Sequence, residues 1–186
     1  MITLYKAKIS DFSQADYAKT YSLLDCASKE KIDKQSNEKD KKLSLAGRIL
    51  LRRGIEELYN KSEFEITCNE HGKPLCDFCY FNISHSGDRV VCVVSDLPVG
   101  VDLQQIRPIK PRKEYKFFSD DESCYVNQDS DISKRYIEIF AKKESAIKML
   151  GLSLANSDKV DIFSQEFNFE TTFIDDYILV ICTPNI

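Results

Sequence analysis

A carboxylate interrupts an apolar run at Val99-Gly100-Val101-Asp102-Leu103-Gln104-Gln105. The run has the composition of a buried strand, and a charge inside such a strand is costly unless it is partnered. Side chains at i and i+2 of a strand share a face, so Asp102 and Gln104 point together, away from Val101 and Leu103. A second carboxylate, Glu144, lies in a helical pattern where Phe140, Glu144, Ile147 and Lys148 fall on one face. Two readings of that helix face stand side by side. Glu144 and Lys148 form a surface i,i+4 ion pair; or Glu144 meets Asp102 at a core edge, with a cation between two carboxylates that would otherwise repel. Hard oxygen donors favour Mg²⁺, which keeps waters and is commonly shared with substrate phosphates. Lys148, one turn beyond Glu144, would then neutralise a phosphate on the same ion.

Other polar clusters are weighed against this pair. Ser84 and His85 stand in Phe81-Asn82-Ile83-Ser84-His85-Ser86-Gly87. They make a poor hydrolase site, because neighbours on a strand face opposite ways and no Gly-x-Ser-x-Gly elbow is present. Cys68, His71, Cys76 and Cys79 supply four soft ligands within 12 residues, enough for a tetrahedral zinc site and a zinc-stabilised coenzyme A or nucleotide-binding module without transferase activity. The seven cysteines are odd in number, so reduced thiols are expected; Cys92 and Cys182 read as small core residues.

The net charge of −4 argues against general nucleic-acid binding. No apolar run approaches the roughly 20 residues that span a bilayer, and the first residues lack the pattern of a signal peptide. The expectation is a cytoplasmic monomer that binds neither membrane nor nucleic acid. The lysines and arginines crowd the first third, from Lys29 to Arg53, as a solvated helix face or as a seat for an anionic ligand.

The elements that must position these residues follow from periodicity. Ile2 to Ile9 alternates as a strand, and residues 13 to 40 read as short helices and loops. Asp40 is placed as the cap of a helix from about Lys41 to Tyr59, with Asn60 as its stop. Phe64 to Cys68 reads as a strand, followed by a turn at Asn69 to Gly72. Phe81 to Ser84 reads as a strand, and Val90 to Ser95 with Val99 to Leu103 as a hairpin. Ser119 and Glu122 make a capping box. A helix from about Lys134 to Leu150 is capped by Asp131 or Ser133 and stopped by Gly151. Asp161 to Phe163, Phe167 to Thr172 and Tyr177 to Cys182 complete the strands. The class is α+β, in two halves of similar content.

Gly72-Lys73-Pro74, Phe81-Asn82-Ile83-Ser84-His85-Ser86, Gly100-Val101-Asp102-Leu103 and Phe140-Ala141-Lys142-Lys143-Glu144-Ser145 together resemble, in order and spacing, the 4′-phosphopantetheinyl transferases of the surfactin-synthetase-activating (Sfp) type. The resemblance runs from about Lys29 to Phe163. It implies two α+β halves packed as an intramolecular pseudo-dimer, residues 1–98 and 99–186, with the site between them. It implies Mg²⁺-dependent transfer of the phosphopantetheine arm of coenzyme A to a serine of an apo acyl or peptidyl carrier protein, with adenosine 3′,5′-bisphosphate as the other product. By the same resemblance Asp102 and Glu144 hold the metal and Lys148 contacts the pyrophosphate. Ser84 and His85 contact phosphates, and Lys73 with Pro74 walls the adenine side. Lys31 and Ser44, with Lys29 as an equal candidate, hold the 3′-phosphate. A base must take the serine proton, and Glu144, or a metal-bound water that it orients, is the candidate. Two departures stand out. Gln104 replaces a common Glu and can still ligate through its amide oxygen, and Phe140 replaces the commoner Trp. A different Mg²⁺-dependent nucleotide-diphosphate transferase would use the same Asp102, Glu144 and Lys148.

Overall fold

A computed structural model describes residues 1–112 and 115–185. The chain begins with strand β1 (Ile2–Lys8), then helices α1 (Gln14–Ser22), α2 (Cys26–Asp33) and α3 (Glu38–Tyr59). A short ribbon, β2 (Thr67–Cys68) with β3 (Pro74–Leu75), precedes the hairpin β4 (Tyr80–Ser86) and β5 (Arg89–Ser95). The second half repeats this plan with β6 (Gly100–Gln105), α4 (Asp120–Asn127), α5 (Ile132–Leu150) and the hairpin β7 (Phe167–Ile174) and β8 (Tyr177–Pro184). Its sheet order, β6-β8-β7, matches the first sheet's β1-β5-β4. Each half is a strand, a long helix and a hairpin whose last strand runs in the middle of the sheet. This is the α+β fold of two similar halves that the sequence leads one to expect.

The long helices bury one face each because their apolar residues recur at helical spacing. Leu43, Ala46, Leu50 and Ile55 of α3 sink onto β5, with Ile49 and Leu58 half-buried beside them. Ile139, Ala146 and Ile147 of α5 do the same on the second sheet. A third core, built from Leu4, Val91, Val93, Val101, Leu103 and Leu179, fills the space between the sheets on the faces away from the helices. Gly100 allows α5 to lie directly on β6, because a β-carbon there would sit 1.9 Å from the Ser145 carbonyl oxygen. Gly151 closes α5 with φ +70°, a left-handed cap that favours glycine.

Four expectations need correction. Val90–Ser95 and Val99–Leu103 do not pair as a hairpin: β5 runs between β1 and β4, while β6 pairs with β8. The link Asp96–Pro98 carries the chain from one sheet to the other, and the hairpin of the first sheet turns at Gly87-Asp88. Asn37, not Asp40, caps α3, its side chain accepting from Lys39 N at 2.9 Å. Asp161–Phe163 lies outside any strand, and only Thr67–Cys68 of the Phe64–Cys68 stretch pairs. The Ser119 capping box, the Asp131 cap and the Gly151 stop stand as read.

The sheets meet where edge strand β4 lies against edge strand β6. Asn82, Ser84 and Ser86, alternate residues of β4, accept hydrogen bonds from the backbone N–H groups of Val101, Leu103 and Gln105 at 3.0, 3.1 and 3.0 Å. An edge strand leaves backbone donors unpaired, and buried donors need acceptors. These polar side chains therefore bridge the two halves.

A second polar joint locks α4 to α5. Lys143 Nζ donates to Glu122 Oε2 at 2.5 Å, with side chains only 4% and 1% exposed. The same carboxylate oxygen accepts from Ser119 N at 2.7 Å. Removing one member of a buried pair strands the other charge, at a cost of about 3–5 kcal/mol. Lys143→Ala should therefore lower the urea midpoint by that equivalent, while the paired replacement Glu122→Leu with Lys143→Met should recover most of the loss.

Candidate active site

The β4–β6 seam ends in a cluster of charge. Asp102 faces α5 from β6 and is fully buried. Its Oδ1 accepts from Ser84 Oγ at 2.8 Å and from Lys148 Nζ at 2.5 Å; its Oδ2 accepts from Gln104 Nε2 at 2.8 Å. Gln104 Nε2 also donates to Glu144 Oε2 at 3.1 Å, and Lys148 Nζ lies 3.8 Å from Glu144 Oε1. Lys148 Nζ completes the ring by donating to Ser84 Oγ at 3.1 Å. The Glu144–Lys148 pair is thus no surface decoration: both side chains are about three-quarters buried, at 24% and 26% exposure, and the shorter contact of Lys148 is with Asp102.

The electrostatics follow from this crowding. Burial, and then the neighbouring Asp102 charge, push the Glu144 carboxyl up to about 7, against the opposing pull of Lys148 and Gln104. Burial works against the Lys148 ammonium, but Asp102 and Glu144 together hold its pKa above the usual lysine value. His85 stands exposed on β4, yet desolvation by the surrounding protein and then the Lys148 charge lower its pKa, so it is neutral at pH 7. The Asp40 carboxylate, at the start of α3, opposes that lowering.

The sequence comparisons converge on one assignment. A family model described as "4′-phosphopantetheinyl transferase, N-terminal" matches residues 11–97, and one described as "4′-phosphopantetheinyl transferase superfamily" matches residues 98–178. The chain belongs to this superfamily. Relatives include the 4′-phosphopantetheinyl transferase Sfp of Bacillus subtilis (strain 168), 32% identical over 77% of this chain and 67% of its own length. The transferase gsp of Aneurinibacillus migulanus is 38% identical over 62% of this chain, and the transferase AcpT of Salmonella typhi is 30% identical over 75% of each chain. The chain spans about half the length of the Aneurinibacillus protein, 51%.

Among the residues singled out by the resemblance to this superfamily, Asp102, Gln104, Glu144, Lys148 and Ser84 share one hydrogen-bonded ring, with His85 at its edge. Ser84 is more committed than a simple phosphate contact requires. Its hydroxyl donates to Asp102 and accepts from Leu103 N and Lys148 Nζ, so its hydrogen-bonding capacity is used up. Lys73 sits at the C-terminal end of α5, just past Lys148. Its Nζ donates to the Met149 carbonyl at 2.7 Å, and Asn69 Nδ2 donates to the Gly151 carbonyl at 2.8 Å. The turn before β3 thus caps the helix that carries Glu144 and Lys148, and burial lowers the pKa of Lys73. Pro74, opposite Cys68 in the β2–β3 ribbon, lines a groove of about 380 Å³ with Lys73 and Phe81.

Among the described residues, Lys29, Lys31 and Ser44 share no hydrogen bond or ion pair with the ring. Lys29 Nζ donates to the Ser22 carbonyl at 3.2 Å, Lys31 is exposed, and Ser44 Oγ pairs with the Gln35 amide at 2.9 Å. Cys68, His71, Cys76 and Cys79 do not assemble either: among the described residues, no three His, Cys, Asp or Glu side chains converge as a metal site. The zinc-module expectation therefore has no ligand set. Sequence reasoning missed Asn82 and Ser86, although their alternation with Ser84 on one strand face was visible.

The sign of the Glu144 shift sets a stability test. A carboxyl whose folded pKa lies above its unfolded value stabilises the fold when protonated. That contribution is complete below the unfolded pKa of about 4.5 and is lost as pH rises through about 7. Glu144→Gln, which stays neutral, should melt higher than wild type at pH 8 in metal-free buffer, and the gap should close by pH 5. A gap independent of pH would remove Glu144 as its source.

Proposed function

We propose that the chain catalyses Mg²⁺-dependent transfer of the 4′-phosphopantetheine arm of coenzyme A to a serine of an apo acyl or peptidyl carrier protein, releasing adenosine 3′,5′-bisphosphate. The observation that carries this reading is the ring joining Asp102, Gln104, Glu144, Lys148 and Ser84 across the two halves, in a chain of this superfamily. A second Mg²⁺-dependent nucleotide-diphosphate chemistry would need the same three charged groups, but the family membership favours phosphopantetheinyl transfer.

The donor set suits Mg²⁺. Asp102 and Glu144 offer two hard carboxylates from two elements, and Gln104 lies between them with an amide oxygen available on rotation. Two carboxylates leave positions for water and phosphate oxygens, as Mg²⁺ sites commonly do. In this state Lys148 Nζ and Gln104 Nε2 satisfy the carboxylates by hydrogen bonds. When bound, the ion supplies charge neutralisation on the pyrophosphate.

The remaining work falls to the protein. The carrier serine oxygen bonds to the phosphorus of the phosphopantetheine group, the bond to the bridging oxygen breaks, and that oxygen leaves with the bisphosphate. Such a transfer depends on alignment and on offsetting phosphoryl charge more than on covalent help. Lys148, held protonated, turns its ammonium to the pyrophosphate oxygens. Glu144, or a water that the bound ion would carry and Glu144 would orient, would take the proton from the attacking hydroxyl. His85, neutral at the edge of the ring, offers a hydrogen bond to a phosphate without adding charge. The likeness to 4′-phosphopantetheinyl transferases supports coenzyme A and a carrier protein as the partners. No helix among the described residues is long and apolar enough to cross a membrane. A single chain holds both sides of the ring, so a monomer suffices; the cytoplasm, where coenzyme A and carriers meet, is the proposed location.

Incubation with coenzyme A, Mg²⁺ and a set of apo carrier proteins should add the phosphopantetheine mass to at least one. Asp102→Ala, Glu144→Gln and Lys148→Ala should each reduce the rate by about 10²–10⁴-fold. No transfer to any carrier, or an Asp102→Ala rate equal to wild type, would overturn the reading. Because a proton and the cation compete for Glu144, apparent Mg²⁺ affinity should rise between pH 6 and pH 8 and flatten above. Gln104→Glu should lower the Mg²⁺ concentration for half-maximal rate; an unchanged requirement would show that position 104 does not reach the ion.

A further inference from the structure

The seam between the halves is built on one side only. Strand β4 of the first sheet is tied to β6 of the second through Asn82, Ser84 and Ser86. By the matching sheet orders, β1 and β7 are the corresponding pair of edge strands. They form no comparable joint among the described residues. A cleft of about 580 Å³ opens there instead, a size typical of small-molecule sites.

The floor of the cleft is apolar and the rim is cationic. Val91 and Leu103, each 2% exposed, belong to the core between the sheets and are reached from the cleft with Ile174. Lys6 and Lys8, alternate residues of β1, stand on one face, with Arg89 directly opposite Lys8 in the β1–β5 register. Among the described residues neither lysine ammonium has an ion-pair partner. The nearby carboxylates are engaged: Asp175 pairs with Arg89 at 2.5 Å, and Asp11 accepts from Lys8 N at 2.8 Å. Arg89 Nε is buried without an acceptor, the one such side-chain atom among the described residues.

An apolar floor asks for a hydrocarbon, and the ammonium groups of Lys6 and Lys8, with no ion-pair partner among the described residues, beside the Asp175-paired Arg89, ask for an anion. We infer that this cleft binds a single-chain amphipathic anion: a carboxylate or phosphate head at Lys6, Lys8 and Arg89, with an unbranched alkyl tail over Val91, Leu103 and Ile174. The site is separate from the active site, because Leu103 faces away from the side of β6 that carries Asp102 and Gln104. It stands whether or not the transferase reading holds.

Calorimetric titration of the full chain with decanoate and with decyl phosphate tests it, beside decyltrimethylammonium, acetate and inorganic phosphate as controls. At least one decyl anion should saturate at one per chain, with the cation about tenfold weaker or worse and the short anions showing no saturation. Tighter binding of decanoate would point to a fatty acid, and of decyl phosphate to a phosphorylated lipid. Lys6→Glu with Lys8→Glu, and separately Ile174→Glu, should each weaken binding about tenfold or more while keeping the wild-type melting profile. Equal affinity for the decyl cation and anion would overturn the inference. So would affinity indifferent to both sets of substitutions, or binding seen only on anionic phospholipid vesicles, which would make the face a membrane contact instead.

Discussion

One buried carboxylate sets the terms for the rest of the structure. Asp102 sits with no exposed surface between apolar neighbours, where an unpartnered charge would be prohibitive. Both of its oxygens are bonded, to a hydroxyl from the first half, an ammonium from α5 and an amide two residues along its own strand. Each partner comes from a different part of the chain, so the two halves must meet for the charge to be tolerated. The same arrangement concentrates negative and positive charge at the seam, which is what a phosphate-handling site needs. Structural demand and chemical opportunity arise from the same residues.

The halves are alike in topology and unlike in chemistry. Strand β6 presents Asp102 to α5, which carries Glu144 and Lys148 one turn apart. At the corresponding place β1 presents Tyr5 to α3, which carries Arg53 and Glu57 at the same spacing. Burial and then the neighbouring Glu57 carboxylate push the Tyr5 phenol up to about 12, so it stays neutral there. The seam closes at β4–β6, where Asn82, Ser84 and Ser86 accept from β6, while β1 and β7 form no comparable joint among the described residues, leaving one charged site and one cleft with an apolar floor.

Much of the site was legible because the relevant signals are local. Asp102 is conspicuous as a charge inside an apolar strand, and Glu144 with Lys148 as charges on an otherwise apolar helix face. Caps at Ser119, Asp131 and Gly151 are read from a few adjacent residues, because they satisfy backbone groups within one turn. The failures were of partnership. Two apolar strands joined by three residues look like a hairpin, yet β5 and β6 belong to different sheets, since nothing local states which edge a strand will join. Ser84 was read for its hydroxyl as a ligand contact, while its donor and acceptors are spent on the seam.

The sequence by itself determined the two α+β halves, the strand and helix that carry the charged groups, and the family to which the chain belongs. These depend on periodicity, capping and ordered motifs, all of which act over short separations. Tertiary structure decided the rest. It brought Ser84 and Lys148 onto Asp102 from 18 and 46 residues away. It turned Lys73 into a cap for α5 from 76 residues away, and it left Cys68, His71, Cys76 and Cys79 without a shared centre. The physical reason is that a pKa such as that of Glu144 is fixed by burial and by charges on other elements. Neither exists until the sheets have packed.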